Sequence, residues 1–219
     1  IFTKEKIVEI ERTKVLPGEG VNTTYFSPGP RENKVPAAGF HFLMSTRLLK
    51  SKGVKNFADA ARIIRKKFKN VRFELIGFFE KSHPDTILEE ELDKWQKEGL
   101  VSYKGFVRDV RPFLQTADCF VFPSYYNEGI PRSLMEAASM ELPIITSFNR
   151  GCKEVVQDHV NGFLCRQNDP FDLAEKMAIM INSPLEERKR MGSQGRSLVM
   201  ERFNVEKVIH EYERILKDL

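Results

Sequence analysis

The sequence predicts an α/β fold, with a parallel sheet and helices on both of its faces. From Phe40 onward, apolar runs of strand length alternate with longer stretches whose apolar residues recur every three or four positions. The strand candidates are nearly continuous in apolar residues, which is typical of strands covered on both faces. Because a helix follows each strand, successive strands are expected to run parallel.

The elements follow one another with short connections. The first strand is FHFLMS at 40–45, and the first helix has its apolar face on Val54, Phe57, Ala61, Ile64 and Phe68. The later pattern predicts strand 71–77, helix 86–98, strand 100–105, short helix 110–116, strand 118–124, a helix from about Pro131, strand 143–147, short helix 154–157, short strand 163–166 and three closing amphipathic helices. This order is that of a Rossmann-like sheet, in which ligands bind beyond the carboxyl ends of the strands. Functional residues are therefore expected directly after the strands.

Residues 1–38 are charged at first and then rich in Gly and Pro, which is typical of a linker or entry segment. We expect residues 39–219 to form one domain. The chain begins with Ile1 rather than Met, and we expect it to be part of a longer protein.

The composition is that of a water-soluble globular protein, with 41% hydrophobic and 30% charged residues among 219. The net charge of +4 permits an anionic ligand or a contact with a membrane surface but requires neither. Basic residues on the outer face of the first helix are better explained as a solvated surface than as a nucleic-acid site. No apolar run approaches the ~18 residues of a spanning helix, and no signal-peptide pattern opens the chain.

The three cysteines, Cys119, Cys152 and Cys165, are widely separated and lack metal-ligand spacing. An odd number of cysteines at such distances argues against a disulfide framework or a zinc site. We therefore expect a reducing, cytoplasmic environment.

The most informative stretch is PSYYNEGIPRSLMEAASMELP, at 123–143. A buried strand ends at Pro123, and Pro131 suits the first position of the following helix. Backbone amides at the start of a helix lack intrahelical partners and can bind an anion. The amides expected to be available here are those of Gly129, Ile130, Arg132, Ser133 and Leu134.

Two carboxylates, Glu128 and Glu136, flank this site. They would not bind an anion, but they can accept hydrogen bonds from hydroxyl groups at either end of it. A diphosphate between a sugar and a ribose fits that arrangement. On spacing alone an alternative is equally good, in which Glu128 is a loop charge and Glu136 an ordinary helix residue.

Two cations, Arg47 and Lys52, follow the first strand in MSTRLLKSKGV. Both would stand at the crevice and could bind a diphosphate, Arg47 as a bidentate fork and Lys52 as a point charge. Taken alone, two surface cations among 35 basic residues are the better explanation. A weaker signal is GFVRD at 105–109, where the backbone around Val107 could contact the edge of a base beside Phe106.

Together these residues resemble the C-terminal domain of the group 1 glycosyltransferases, which have the GT-B fold. Glu128 and Glu136 match the family's E-x7-E motif, and Arg47 and Lys52 match its R-L-x-x-x-K-G motif. Two further matches are Gly20-Val21-Asn22 with Phe26 and Pro28, and GCKEVVQDHVNGFL at 151–164. The resemblance covers about residues 15–219. It departs from the family at Thr46 and Pro131, where Gly is common, and at Asn127, where a basic residue is common.

The resemblance implies a role for each of these residues. Arg47 and Lys52 would neutralise the diphosphate leaving group, and with Glu128 on the donor-sugar hydroxyls they would form the catalytic set. Glu136 would bind the ribose hydroxyls, the backbone at Val107 would meet the base, and the amides from Gly129 to Leu134 would contact phosphate and sugar. Because protein cations would replace a metal ion, neither a metal nor a cofactor is expected.

We therefore predict the donor-binding half of a retaining, metal-independent hexosyltransferase of cell-surface or capsular polysaccharide synthesis. Its donor would be a nucleotide sugar, with UDP favoured, and a missing N-terminal domain would hold a glycan or lipid-linked acceptor. The last helix, 205–218, would pack toward that domain. The enzyme would act in the cytoplasm, with a peripheral contact at the inner membrane face and no role for nucleic acid. Two alternatives are a GT-B nucleotide-sugar epimerase and a non-catalytic nucleotide-binding module.

Overall fold

The computed structural model describes residues 18–29, 39–127 and 129–217, and these contain one parallel sheet with helices on both faces. Its strands are β1 (Phe40–Ser45), β2 (Val71–Ile76), β3 (Ser102–Tyr103), β4 (Cys119–Phe122), β5 (Ile144–Ser147) and β6 (Gly162–Cys165). Its helices are α1 (Val54–Lys67), α2 (Glu89–Lys97), α3 (Arg111–Thr116), α4 (Arg132–Ser139), α5 (Arg150–Val155), α6 (Pro170–Asn182), α7 (Leu185–Arg202) and α8 (Val205–Lys217). The predicted fold class is confirmed.

The strand order is β3-β2-β1-β4-β5-β6, and every pair is parallel. β1 pairs with β2 on one side, from Phe40 beside Val71 to Ser45 beside Ile76, and with β4 on the other. The chain therefore builds one half of the sheet outward from β1 and then returns to build the other half. The connections after β1 and β4 diverge to opposite sides, which opens a crevice between them.

Successive residues of β1 point into two different cores, because side chains alternate along a strand. Phe42 packs with the core that lies against α1 and α6, whereas Leu43 packs with the core against α4 and α7. Both side chains are fully buried. Burial on both faces explains why the strands are continuous apolar runs in the sequence.

Several element boundaries differ from the predicted ones by a few residues, and those of α5, β3 and α4 are examples. α5 begins at Arg150, ahead of the predicted 154, because the Asn149 side chain caps it by accepting a hydrogen bond from the amide of Cys152 at 3.0 Å. β3, at the edge of the sheet, has two paired residues, Ser102 and Tyr103, instead of six. α4 begins at Arg132, with Pro131 as its N-cap in an extended conformation.

The entry segment, in its described part, 18–29, packs against the domain. Val21 and Phe26 are buried in the core on the α4 and α7 side. The amide of Val21 donates to the carbonyl of Phe203 at 2.8 Å, and the Arg196 guanidinium donates to the carbonyls of Thr23 and Phe26. Residues 1–17 and 30–38 of the predicted linker lie outside the described residues. Within the described parts of the chain, no helix is long and apolar enough to span a bilayer.

α8 buries one of its residues, Val208, and leaves Ile209, Tyr212 and Leu216 exposed on an otherwise charged helix. Its packing toward a further domain stays a prediction.

Candidate functional site

A cavity of about 760 Å³ lies at the carboxyl ends of β1 and β4, where the strand order reverses. This volume falls within the roughly 300–1,000 Å³ of ordinary small-molecule sites. Its walls are formed by Gly18, Glu19, Ser45, Thr46, Arg47, Lys52, Ile76, Gly77, Phe78, Phe106, Val107, Val110, Phe122, Gly129, Ile130, Pro131, Arg132 and Ser133. The connections after four neighbouring strands thus contribute to one cavity.

Arg47 and Lys52 both line the cavity, and their contact with a diphosphate stays a prediction. The Arg47 guanidinium donates from Nη1 to Oε2 of Glu80 at 2.8 Å, which holds it at the mouth. Lys52 is 8% exposed, and its Nζ lies 5.0 Å from the ring centroid of Tyr126 and 6.0 Å from that of Phe122. The aromatic faces favour the cation at this buried position.

The start of α4 contributes to the lining. Gly129, Ile130, Arg132 and Ser133 all line the cavity, and the contact of their amides with a donor stays a prediction. The predicted availability of the Leu134 amide is wrong, because this amide donates to the carbonyl of Pro131 at 3.2 Å and its side chain is fully buried in the core. This i→i−3 hydrogen bond is of the 3-10 type that commonly tightens the first turn of a helix. Glu128 lies outside the described residues, so its place at the site stays a prediction.

Glu136 lies one turn beyond Arg132 and does not line the cavity. Its side chain is 16% exposed and accepts a hydrogen bond from Nε of Arg132 at 3.1 Å. Burial raises the pKa of Glu136, and Arg132, itself exposed to solvent, opposes this only in part. A carboxylate held in a partly buried place at a cost in stability is typical of a functional position.

An aromatic pair closes the β2–β3 end of the cavity. Val107 lines this end as predicted, beside Phe106, which is 67% exposed. The ring of Phe78, directly after β2, meets the ring of Phe106 edge to face at 6.0 Å between centroids. Phe78 was missed from the sequence, although an aromatic doublet directly after a predicted strand was a usable signal. Gly18 and Glu19 were missed too, because the segment carrying them was expected to be a linker.

The cysteines are buried and unlinked. Burial raises the pKa of the Cys165 thiol to about 12 and that of Cys119 well above its ordinary value. Both are therefore thiols near neutral pH. In the described parts of the chain, no group of three or more His, Cys, Asp and Glu residues has the geometry to hold a metal ion.

The family model described as "Glycosyl transferases group 1" matches residues 30–198, which is most of the chain. This chain belongs to the group 1 glycosyl transferases. The resemblance drawn from the sequence motifs is thereby confirmed.

Two curated relatives extend over most of the chain. The putative colanic acid biosynthesis glycosyltransferase WcaL of Escherichia coli (strain K12) is 28% identical over 207 residues, which are 91% of this chain and 50% of that protein. The N,N'-diacetylbacillosaminyl-diphospho-undecaprenol alpha-1,3-N-acetylgalactosaminyltransferase of Campylobacter jejuni is 29% identical over 182 residues, which are 81% of this chain and 45% of that protein. The chain spans about half the length of these relatives.

Among solved structures, Anabaena Alr3699/HepE in complex with UDP has a TM-score of 0.84 at 22% identity, and the match covers 99% of this chain and 60% of that chain. At this identity the match concerns the fold. The shared fold extends over almost the whole length of this chain.

Within this group 1 domain, the R-L-x-x-x-K-G motif supplies Arg47 and Lys52 to the cavity lining. The segment after β4 supplies Gly129 to Ser133 to the same lining, and Glu136 lies one turn further along α4.

Proposed function

We propose that this chain is the donor-binding part of a retaining, metal-independent glycosyltransferase. The donor would be a nucleotide sugar, UDP-linked, that carries a hexose or an N-acetylhexosamine. The observation that carries the proposal is the cavity at the strand-order reversal, whose lining includes Arg47, Lys52 and the start of α4.

The cavity has the charge distribution that a diphosphate requires. Two cations, Arg47 and Lys52, line it together with Arg132 and Ser133, the first two residues of α4. Helix-start amides carry partial positive charge and favour anions. A ligand in this cavity would have its negative charge balanced by the cations and the helix start without a metal ion.

The two ends of the cavity suit the two ends of a nucleotide sugar. Val107 and the Phe78–Phe106 pair offer an apolar place for a base, and rings of this kind prefer edge or offset contacts with other π systems. Glu136 would accept hydrogen bonds from the ribose hydroxyls once α4 adjusts to the ligand. Glu128 would accept hydrogen bonds from the donor-sugar hydroxyls.

The chemistry proposed for this site is electrostatic. As the bond between the sugar and the diphosphate breaks, negative charge grows on the leaving UDP, and Arg47 and Lys52 stabilise it. The sugar carbon becomes oxocarbenium-like and accepts the incoming hydroxyl on the face from which UDP departs, so its configuration is retained. The lost proton passes to the departing diphosphate oxygen.

The names of the relatives support the proposed pathway. WcaL is named for colanic acid biosynthesis, and the Campylobacter enzyme is named for a diphospho-undecaprenol acceptor. The acceptor proposed here is accordingly a glycan or a lipid-linked glycan of cell-surface or capsular polysaccharide, used at the cytoplasmic face of the membrane. UDP is favoured because HepE was solved with UDP.

The first test is nucleotide binding with and without a divalent cation. We expect UDP to bind with the same dissociation constant in magnesium and in chelator, because Arg47, Lys52 and helix amides supply the positive charge. Calorimetry with UDP, UDP-hexoses and GDP-mannose measures this. Loss of binding on chelation would exclude the metal-independent mechanism.

The second test is turnover. We expect residues 1–219 alone to transfer no sugar to an acceptor glycan, because the proposed acceptor site lies in a part of the enzyme that this chain does not include. Transfer at the rate of a full-length relative would contradict this. Interconversion of two UDP-sugars, followed by NMR, would favour the epimerase alternative. UDP binding to which the sugar adds no affinity would favour a non-catalytic module.

A further inference from the structure

Ser51 joins two connections of the sheet. It lies in a single 3-10 turn, Lys50–Lys52, directly before Lys52. Its amide donates to Oδ2 of Asp85 at 2.9 Å, and its hydroxyl donates to the same oxygen. The carbonyl oxygen of Ser51 accepts hydrogen bonds from the amides of Tyr125 and Tyr126 and from the hydroxyl of Ser124, at 2.9, 3.1 and 3.2 Å. Each polar group of this residue is therefore used.

Asp85 lies in the connection after β2 and holds Ser51 as a carboxylate. Its own carbonyl accepts a hydrogen bond from the amide of Lys50 at 2.8 Å. Burial opposes ionisation of Asp85, but the hydrogen bonds from the side chain and backbone of Ser51 outweigh burial and lower its pKa. Lys50 and His83 add smaller effects in the same direction.

The hydrogen bonds of Ser51 fix the position of Lys52. The carbonyl of Ser51 belongs to the peptide unit whose nitrogen is that of Lys52, so three donors from the β4 connection hold this plane. Lys52 then passes its side chain over the rings of Phe122 and Tyr126. The same three donors come from residues 124–126, which lead to the start of α4.

We propose that Asp85 is a positioning residue for the diphosphate. Through its hydrogen bonds with Ser51, it fixes Lys52 and residues 124–126 in position relative to each other. The inference rests on the proposed function, since it assigns the ligand of Lys52 as a diphosphate. Asp85 does not line the cavity, so its effect passes through Ser51. A small displacement of a charged group from its ligand weakens binding sharply, because the interaction depends on distance and direction.

The experiment compares UDP with uridine, which lacks phosphate. Asp85→Ala should weaken UDP binding about fivefold, a loss of about 1 kcal/mol, while the dissociation constant for uridine stays unchanged. Asp85→Asn keeps an acceptor oxygen for Ser51 and should restore most of the UDP affinity. Calorimetry for UDP and saturation-transfer NMR for uridine, both well below the melting temperature of each variant, give the two constants.

The matched control is Asp169→Ala. This carboxylate also accepts two hydrogen bonds, from the amides of Phe171 and Asp172, but it caps α6, which contributes no residue to the cavity. We expect it to lower the melting temperature and leave both ligands unaffected. If Asp85→Ala does not fold, Ser51→Ala, which removes the hydroxyl donor and leaves the backbone bonds, should weaken UDP by about twofold.

Two results would overturn the inference. One is an Asp85→Ala protein, or a Ser51→Ala protein in its place, that loses stability but binds UDP as the unchanged chain does. The other is an equal loss for UDP and uridine. If the unchanged chain binds neither UDP nor another nucleotide, the proposed function itself fails, and this outcome is distinct from both.

Discussion

Changing Glu136 to Gln should weaken UDP binding about tenfold and at the same time raise the melting temperature at pH 7. The gain in stability follows from the raised pKa of this carboxyl, whose first cause is burial. A folded-state pKa above the unfolded-state value means that ionisation costs stability. The cost is absent below the unfolded-state pKa of about 4.3 and is complete once the pH exceeds the folded-state pKa. A neutral amide at this position would carry no such cost.

The loss in affinity follows from the proposed contact with the ribose. An ionised carboxylate accepts hydrogen bonds roughly twice as strongly as a neutral amide oxygen, so losing the charge costs about 1–2 kcal/mol of binding. Because UDP and UDP-sugars share the ribose, both should weaken by the same factor. Glu128→Gln should instead reduce only the affinity that the sugar adds.

Thermal unfolding between pH 4 and pH 8, with calorimetry for UDP and a UDP-sugar, measures both effects. The stability difference between Glu136→Gln and the unchanged chain should shrink as the pH falls toward 4. Glu175→Gln, on the exposed face of α6, is the control and should change neither quantity. A destabilised Glu136→Gln protein with normal UDP affinity would show that this residue serves the fold alone.

Gly53→Ala should destabilise the folded chain by about 2–5 kcal/mol, combining a left-handed backbone with overpacking. Gly53 has φ +81°, and a Cβ atom there would lie 2.2 Å from the carbonyl oxygen of Pro123. That oxygen belongs to the backbone after β4, so it cannot move without shifting the cavity wall.

Substitutions at two other glycines distinguish the cost of the left-handed backbone from the cost of the contact with Pro123. Gly99 has φ +65° and no atom within 4 Å of its Cβ position, so Gly99→Ala should show the backbone cost alone, about 1 kcal/mol. Gly129 also has open space at its Cβ position, so Gly129→Ala should keep its stability and affect only ligand approach. Chemical denaturation of the three variants measures the differences. Equal losses for Gly53→Ala and Gly99→Ala would mean that the contact with Pro123 carries no cost.

The sequence predicted the sheet well because burial on both faces leaves a strong local pattern. Phe42 and Leu43 enter different cores, and both must be apolar, so the strand reads as one continuous run. Position after a strand could place Arg47 and Lys52 at the crevice, but only the R-L-x-x-x-K-G motif distinguished them from other surface cations. Helix starts are harder to predict, because they depend on local contacts such as the hydrogen bond that the Asn149 side chain accepts at the start of α5.

The residues that were not predicted from the sequence have contact partners that are distant from them along the chain. The ring of Phe78 contacts the ring of Phe106. Asp85 accepts hydrogen bonds from Ser51, which is 34 positions away. Gly18 belongs to the segment that was expected to be a linker. It lies against the side chain of Ile130, which is distant from it in the sequence. Such pairings leave no periodic signal, because only the three-dimensional path of the chain brings the partners together.

The long-range hydrogen bonds around β1 and β4 determine when the cavity is completed during folding. Ser124 donates to the carbonyl of Ser51 across 73 positions, and the amide of His41 donates to Asp118 across 77. Contacts of such separation form slowly, because the intervening chain must first lose its conformational entropy. A nascent chain that has made only β1, β2 and β3 lacks the part of the cavity lining that follows β4. Binding of the proposed nucleotide would therefore report the completed central pairing, and a bound nucleotide would stabilise only those molecules that have reached it.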